Sequence, residues 1–523
     1  MTMKASQLIF GIILLALVPS TGVRAATPSA LWGNDGSAWT PASRLPDFSF
    51  AGYHGGGVPP PSPAVAASVK DFGAAGDGRT DDAEAFRKAI AATAKGVIQI
   101  PAGRYVLKSQ VALDKGGVVL RGAGIGKTVL VVPQSLEQIH GARPVDKTKS
   151  QWAFSGGFIE LKGSVKSQKL AEVAVPAKRG DCRLELKQAA GLVPGAWVRL
   201  LMNNDPELGR VVHAGQAEAA ETTRREVKNF CDRVVQVVAV EGKTITIDRP
   251  LRLEVRPEWQ AEIWSWKPQV EESGIESLSF EFAGTPKRPH LQEEGFNAIQ
   301  MHNVANCWVR DIELVDADNG VIASNCRFCT IAGLRARAVK RDGKGDTGHH
   351  AMWATGKSQD CLFTGFRLET RYVHDLTVEG GANGNVFERG QGVSIDFDHH
   401  SNAPYENLFT ELDVGSPRRL WNCGGRQDRG PHTGARTTFW NIAGKPGEKP
   451  PAVPDWPQIN VIGLSGCQAV ATGNRQWIES CADGVTPPNL YRAQLQRRLG
   501  QKNPATPATT VPVPATKQKD NHK

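Results

Sequence analysis

The chain has 523 residues, 40% hydrophobic and 22% charged, a globular composition that excludes an intrinsically disordered protein. Gly 55 and Pro 33 together make 88 residues, too few for collagen or a low-complexity linker and enough for many turns. Lys and Arg total 62 against 53 Asp and Glu, a formal charge of +9, which suits a polyanionic partner, either nucleic acid or acidic polysaccharide.

Lys4, the apolar run Leu8 to Val18, Pro19 and the small-x-small site Val23-Arg24-Ala25 predict a cleaved secretory signal over 1–25. The run is too short to span a bilayer as a helix. Its removal takes away Lys4 and Arg24, leaving 62 − 2 = 60 basic against 53 acidic residues, or +7. The mature chain is expected to be secreted or periplasmic, with no membrane span. Residues 26–66, rich in Trp, Pro and Gly, read as an irregular arm.

Thr80 and Asp81 are placed to cap a helix over 81–94, with Glu84 completing a capping box with Asp81. Phe86, Ala89 and Ile90 give that helix one apolar face. Gly122-Ala123-Gly124-Ile125-Gly126-Lys127-Thr128 lacks the first glycine of a phosphate loop, since Arg121 stands there, and a strand follows it. It reads as a turn between coils, and no nucleotide is expected.

The stretch from Asp71-Phe72-Gly73 through Gly76-Asp77-Gly78 and Asp81-Asp82-Ala83 to Ile100-Pro101-Ala102-Gly103-Arg104-Tyr105 resembles the opening of the pectate-lyase superfamily. That family includes pectate lyases, polygalacturonases, rhamnogalacturonases and epimerases. The resemblance implies an all-β fold, a right-handed parallel β-helix with an N-terminal capping helix. It covers residues 67–130 by motif and 270–470 by repeat pattern, and it says little about the reaction.

Trp197-Val198-Arg199-Leu200 and Val237 to Ile247 alternate at period two around Gly242, predicting a small β insertion over 165–255. The charged segment 205–230 reads as a loop. From 297 the repeat is countable: Val309-x-x-Ile312-x-Leu314 recurs as Ile331-x-x-Leu334-x-Ala336 and as Phe363-x-x-Phe366-x-Leu368. Such a period is one solenoid coil. The predicted layout is a cap and first coils over 67–164, the insertion, a main solenoid over 256–470, a C-terminal cap over 471–499 and a disordered tail over 500–523. The nine cysteines are an odd number; Cys326-x-x-Cys329 is half of a metal or redox motif that nothing completes, and Cys467 with Cys481 is the expected disulfide.

In Ser394-Ile395-Asp396-Phe397-Asp398 the apolar Ile395 and Phe397 should point inward, leaving Asp396 and Asp398 outward. Steps of one 22-residue period from Asp396 reach His374 and Arg418, and place Tyr372 on the same row; Trp353 joins if one coil slips by a residue. The predicted catalytic set is His374, Asp396, Arg418 and Tyr372. The predicted substrate-binding set is Trp353, Arg371, His349, His350, Glu379, His399, His400, Arg419, Arg426 and His432. Six of the twelve histidines fall between 349 and 432.

These residues suit β-elimination on a uronate polymer: arginine neutralises the carboxylate, His374 oriented by Asp396 removes the proton, and Tyr372 assists the leaving oxygen. The family resemblance implies Ca²⁺ at Asp396 and Asp398. The alternatives are a glycoside hydrolase using paired carboxylates, an epimerase, and a glycan-binding β-helix. The polygalacturonase pattern is not reproduced, Gly348-His349-His350 being a partial echo. The expected partner is an acidic polysaccharide and not a nucleic acid; the oligomeric state is left open.

Overall fold

Strand Trp308–Val315, which carries Val309, Ile312 and Leu314, pairs in parallel with Gly274–Phe282 on one side and Thr330–Arg337 on the other. Val309 lies opposite Ile331, and Ile331 opposite Phe363, so the first two repeats are the 22- and 32-residue steps visible in the sequence. The computed structural model that shows this describes residues 26–500 apart from 190, 204, 215–230, 342–344, 423, 426–433, 446–451, 454–455, 457, 467–469, 472–474 and 482–483. The expected leader and all of the expected tail except Gly500 lie outside the described residues.

The chain is a parallel β-solenoid. Among the described residues one face is an eight-stranded sheet, and seventeen further strands form a second set that bends where Ser277, Asp311 and Glu411 take left-handed φ, so that Gly274–Phe282 pairs separately with Val118–Gly122 and Thr128–Val132. A third edge is made of short parallel contacts, Val270–Glu271 against Val304–Ala305, then single bridges from Ala305 through Arg327, Gln359, Asn383 and Tyr405 to Ala435. Parallel strands buried on both faces need apolar runs, and inward rows fill the space between the sheets. Phe363, Phe387, Phe409 and Phe439 stack along one row with ring centroids 4.4, 5.0 and 5.1 Å apart. Asparagine amides bridge coils at the turns, Asn319 to Asn297 at 2.8 Å and Asn385 to Asn407 at 3.0 Å.

Helix Ala83–Ala92 covers the first coils with Phe86, Ala89 and Ile90 buried. Its cap differs from the expected box. The N-cap is Asp82, whose carboxylate turns back to accept from the Ala75 amide at 2.5 Å, while Glu84 pairs with Arg87. Residues Asp77–Asp81 run as a strand against Gly103–Val106, which aims Asp82 at that turn and away from the helix. The Gly122–Lys127 stretch is a turn between strands Val118–Gly122 and Thr128–Val132, its Gly126 amide donating to Ser279 Oγ.

Between Leu161 and Val270 the solenoid is interrupted by a six-stranded antiparallel sheet built on strands Trp197–Met202 and Cys231–Glu241. Its closing strand, Glu262–Ser265, lies beyond residue 255. The sheet has its own core, including Leu184, Val198, Ile245 and Ile263. It is joined to the coils by buried Arg252, which sits 2.7 Å from Asp360 and 3.1 Å from Glu406. Within the segment read as a loop, Pro206–Val212 is a helix; 215–230 lies outside the described residues.

The N-terminal arm packs. Trp32, Trp39, Leu45 and Phe48 form one apolar cluster with Leu362, Val386, Leu408, Trp440 and Ile462 of the large sheet and with the C-terminal helix Leu490–Arg498. The Phe48 amide donates to Gln494 Oε1 at 2.8 Å, and the Tyr491 hydroxyl to the Ala51 carbonyl at 2.8 Å. Cys481 is a free thiol, and Cys467 lies outside the described residues. Among the described residues no helix is long and apolar enough to cross a membrane.

Candidate active site: histidines gathered over a buried aspartate

Three parallel strands of the eight-stranded sheet build the site: Gly348–Thr355, Tyr372–Val378 and Phe397–His399. Met352, Leu376 and Phe397 are in register and face the core. Alternation then sends Trp353, Thr377 and Asp398, also in register, to the opposite side. The coils here are unequal: Met352 to Leu376 is 24 residues and Leu376 to Phe397 is 21. A uniform 22-residue step therefore slips, and the expected row of His374, Asp396 and Arg418 is not formed.

Asp396 instead meets Asp375. Its Oδ1 accepts from the Asp375 amide at 2.9 Å, and its own amide donates to Asp375 Oδ2 at 3.0 Å. The carboxylate beside His374 is Asp398, whose Oδ2 lies 3.3 Å from His374 Nδ1 and 2.5 Å from His400 Nδ1. Asp398 lies outward from the core yet is fully covered, with 0% of its surface exposed.

Around it the imidazoles pack ring on ring. His350 stacks on Trp353 at 4.2 Å and on His374 at 4.7 Å, and its Nδ1 is 2.9 Å from Thr377 Oγ1. His349 lies 4.2 Å from His350, with Nδ1 2.9 Å from the Ala153 carbonyl. His374 and His400 are 4.9 Å apart. A fifth histidine, His290, comes from the segment before strand Asn297–His302; it is exposed, and its Nε2 is 3.2 Å from that of His349. Sequence reasoning missed His290 because it stands alone in a charged, proline-bearing stretch outside the repeat. It also passed over Thr377, which only the register identifies.

The arginines form a rim. Arg419 is half-exposed, its Nε 3.6 Å from Asp396 and its NH2 donating to the Val373 carbonyl at 2.9 Å. Arg418 pairs with Asp346 rather than with Asp396, and Arg371 donates to the Gly345 carbonyl at 3.3 Å. Both hold the segment leading into the histidine strand.

Several expected site residues lie elsewhere. Tyr372 is a core residue, 2% exposed, its ring packed where a Cβ on Gly348 would sit 2.3 Å away, and burial pushes its phenol up. His399 follows the inward row of Ala354 and Val378, and packs on Trp456 at 4.3 Å. Glu379 is buried beside Thr355 of the preceding coil, 3.4 Å from its Oγ1. Arg426 and His432 lie outside the described residues.

Electrostatically the cluster separates its carboxyls. Burial alone would raise Asp398, but His400 and His374 outweigh it and hold the group well below the usual carboxylate range. Burial, then the neighbouring Asp375, pushes Asp396 well up, and burial takes Asp375 to about 7. Burial and adjacent imidazoles depress His349 and His350 strongly and bring His290 to about 4. These surroundings do not fit Ca²⁺, which takes six to eight oxygens: Asp398 is engaged by two imidazole nitrogens and Asp396 by an amide and a guanidinium.

The chain is a parallel β-solenoid, and its N-terminal part is similar to the pectate-lyase-like proteins. Residues 66–191 match the family model described as rhamnogalacturonase A/epimerase, pectate lyase-like, and residues 372–505, which hold His374, Asp398, His400 and Arg419, match a domain of unknown function, DUF4955. The chain is 39% identical over 72 residues to alginate lyase 7 of Azotobacter vinelandii, covering 12% of this chain and 8% of that protein. It is 38% identical over 80 residues to mannuronan C5-epimerase AlgE4 of the same organism, covering 14% of each. The matches thus span a small part of the curated relatives' length. Among solved structures, the tailspike protein gp49 of Pseudomonas phage LKA1 aligns over 78% of this chain and 64% of its own, at 14% identity and a TM-score of 0.49.

Proposed function

We propose that this protein is an exported polysaccharide lyase that cleaves a uronate-containing polysaccharide by β-elimination. The observation that carries this reading is the gathering of His290, His349, His374 and His400 about Asp398, beside the half-exposed Arg419. The matched segments of an alginate lyase and a mannuronan epimerase support a polyuronate as the substrate class.

Elimination needs positive charge at the substrate carboxylate, a base for the C5 proton and a proton for the departing O4. Arg419 supplies the charge, its guanidinium half-exposed beside Asp396. His290 is the proton acceptor: it reaches solvent over the buried imidazoles, and partial desolvation against them, with the neighbouring His374 and Lys287, lowers its ring to about 4 and keeps it neutral at neutral pH. The C5–H pair becomes the C4=C5 double bond, the C4–O4 bond breaks, and the imidazolium returns its proton to O4. His374, buried beneath it, is held by Asp398 and does not need to reach the substrate.

Hydrolysis is less well served. It needs two carboxyls roughly 5–9.5 Å apart flanking a sugar ring, whereas Asp375 and Asp396 are buried and interlocked through each other's amides and Asp398 is covered. The test is incubation with a panel of acidic and neutral polysaccharides, following ultraviolet absorbance of unsaturated uronate alongside reducing ends. Both signals should rise together on a polyuronate. Reducing ends without absorbance mean a hydrolase, and glycan retention with neither signal means a binding protein.

A further inference from the structure

We infer that His350, His374 and His400 form a binding site for one transition-metal ion of the zinc class. Each offers a nitrogen, and the three lie within 4.8 Å of one another. Ligands of a tetrahedral ion with Zn–N bonds of about 2.1 Å stand roughly 3.4 Å apart, so closure asks less than about an ångström of each ring. The rings come from three consecutive coils, which makes the site a property of the folded solenoid and not of a local sequence motif.

The surroundings favour a metal over a stack of satisfied imidazoles. Metal-bound histidines have their second nitrogen held by a carboxylate, hydroxyl or carbonyl that fixes the ring. Here every Nδ1 faces such a group: Thr377 Oγ1 at 2.9 Å for His350, and Asp398 Oδ2 at 3.3 Å for His374 and 2.5 Å for His400. Nε2 is thus the coordinating atom in all three. One buried carboxylate serving two of them supplies a negative charge that a divalent cation would balance. An all-imidazole set is borderline in softness and suits Zn²⁺, Co²⁺ or Ni²⁺, not Ca²⁺ or Mg²⁺. Three protein ligands leave a fourth position open, the pattern of a reactive rather than a purely structural ion.

A second trio, His290, His349 and His374, also brings three nitrogens within 4.8 Å of one another. It shares His374, so one ion at that ring excludes another there. Its His290 is exposed, and its His349 is already in contact with His290 Nε2 to Nε2 at 3.2 Å. The inner trio, with all three rings held from behind, is the site. Binding does not depend on the lyase reading; if that reading holds, the ion would add to Arg419 in drawing the substrate carboxylate.

The experiment uses the full chain stripped with chelator and dialysed. Titration with Zn²⁺ by calorimetry should show one site per chain with sub-micromolar affinity, and Co²⁺ should give the intense visible bands of a four-coordinate nitrogen-bound ion. His400→Gln and His350→Gln should each weaken Zn²⁺ binding by at least a hundredfold, with circular dichroism unchanged, whereas His290→Gln should change it by less than threefold. Asp398→Asn, which removes the charge beside two of the ligand rings, should weaken it by about ten- to a hundredfold. No stoichiometric binding in the wild-type chain overturns the inference. So does loss of binding in His290→Gln with retention in His400→Gln, which would put the ion in the outer trio. Metal binding with no unsaturated product on any glycan would sink the lyase reading and leave the metal site standing.

Discussion

Asp398 Oδ2 lies 3.3 Å from His374 Nδ1, although the two residues sit on adjacent coils that differ in length from their neighbours. The same oxygen is 2.5 Å from His400, so one buried charge orients two rings. Asp398→Asn keeps the shape and removes the charge. Through His374, whose ring packs 5.3 Å from that of the proton acceptor His290, it should lower kcat by about a hundredfold, the scale of a mispositioned acid–base centre, with the near-ultraviolet circular dichroism retained. Asp396→Asn, whose partners are Asp375 and Arg419, should lower it by less than tenfold. Equal losses in the two variants would return the catalytic pairing to Asp396.

Glycine at 424 is a further handle on the same ring. A Cβ there would sit 2.5 Å from the His400 imidazole, so Gly424→Ala should displace the ring. Activity should drop by at least tenfold while the melting temperature moves by only a few degrees. Full activity in Gly424→Ala would show that His400 is not needed where it stands.

Substrate charge is read by salt. With Arg419 half-exposed beside Asp396, KM for a polyuronate should rise severalfold between tens and hundreds of millimolar salt, as screening shortens the reach of the field. Arg419→Gln should raise KM at low salt and flatten that dependence. A KM indifferent to ionic strength removes the arginine rim from substrate binding.

Acid stability depends on the joint between the insertion and the coils. Burial would raise Glu406, but Arg179, Arg436 and Arg252 outweigh it and bring the group to about 2 from 4.5; Asp360 falls to about 2 for the same reason, through Arg252, Arg233 and Arg249. Both folded values lie below the unfolded ones. The stabilisation is therefore complete above the unfolded values and is lost as pH falls from 4.5 towards 2. The melting temperature should fall steeply across that window. Glu406→Gln should be less stable at neutral pH by about 3–5 kcal/mol, the effect of stranding buried partners, with a shallower acid slope.

The phenylalanine ladder is the mechanical core of the coils. Phe387 stacks between Phe363 at 4.4 Å and Phe409 at 5.0 Å and is fully buried. Phe387→Ala should cost about 3–5 kcal/mol in denaturant titration and leave KM unchanged.

The fold was legible because each strand on the larger sheet repeats the same inward apolar pattern whatever the length of its coil. Val309, Ile331 and Phe363 are apolar at matching places, and the sequence offsets are the structural register. The histidine face was legible in composition but not in pairing. Its coils are 24 and 21 residues long, because the turns between strands absorb insertions and deletions without disturbing the core. A one-residue slip in a strand moves a side chain to the opposite face, and a 22-residue step taken where the coil has 21 is how the partner of His374 was read as Asp396. His290 and the closing strand Glu262–Ser265 were hidden for a different reason: both belong to segments outside the repeat, where periodicity carries no information about which coil they cover.

The arm and the C-terminal helix meet in one cluster, with Phe48 on Gln494 and Ala51 on Tyr491. A stack of coils held only by its neighbours would peel from either end under load, one coil at a time. Here the arm lies across Leu362, Val386, Leu408, Trp440 and Ile462 on successive coils before reaching the helix. Tension applied at the two ends would first have to shear that strap, so the molecule should resist pulling with one large rupture before the small regular ones, a sawtooth with a single high first tooth.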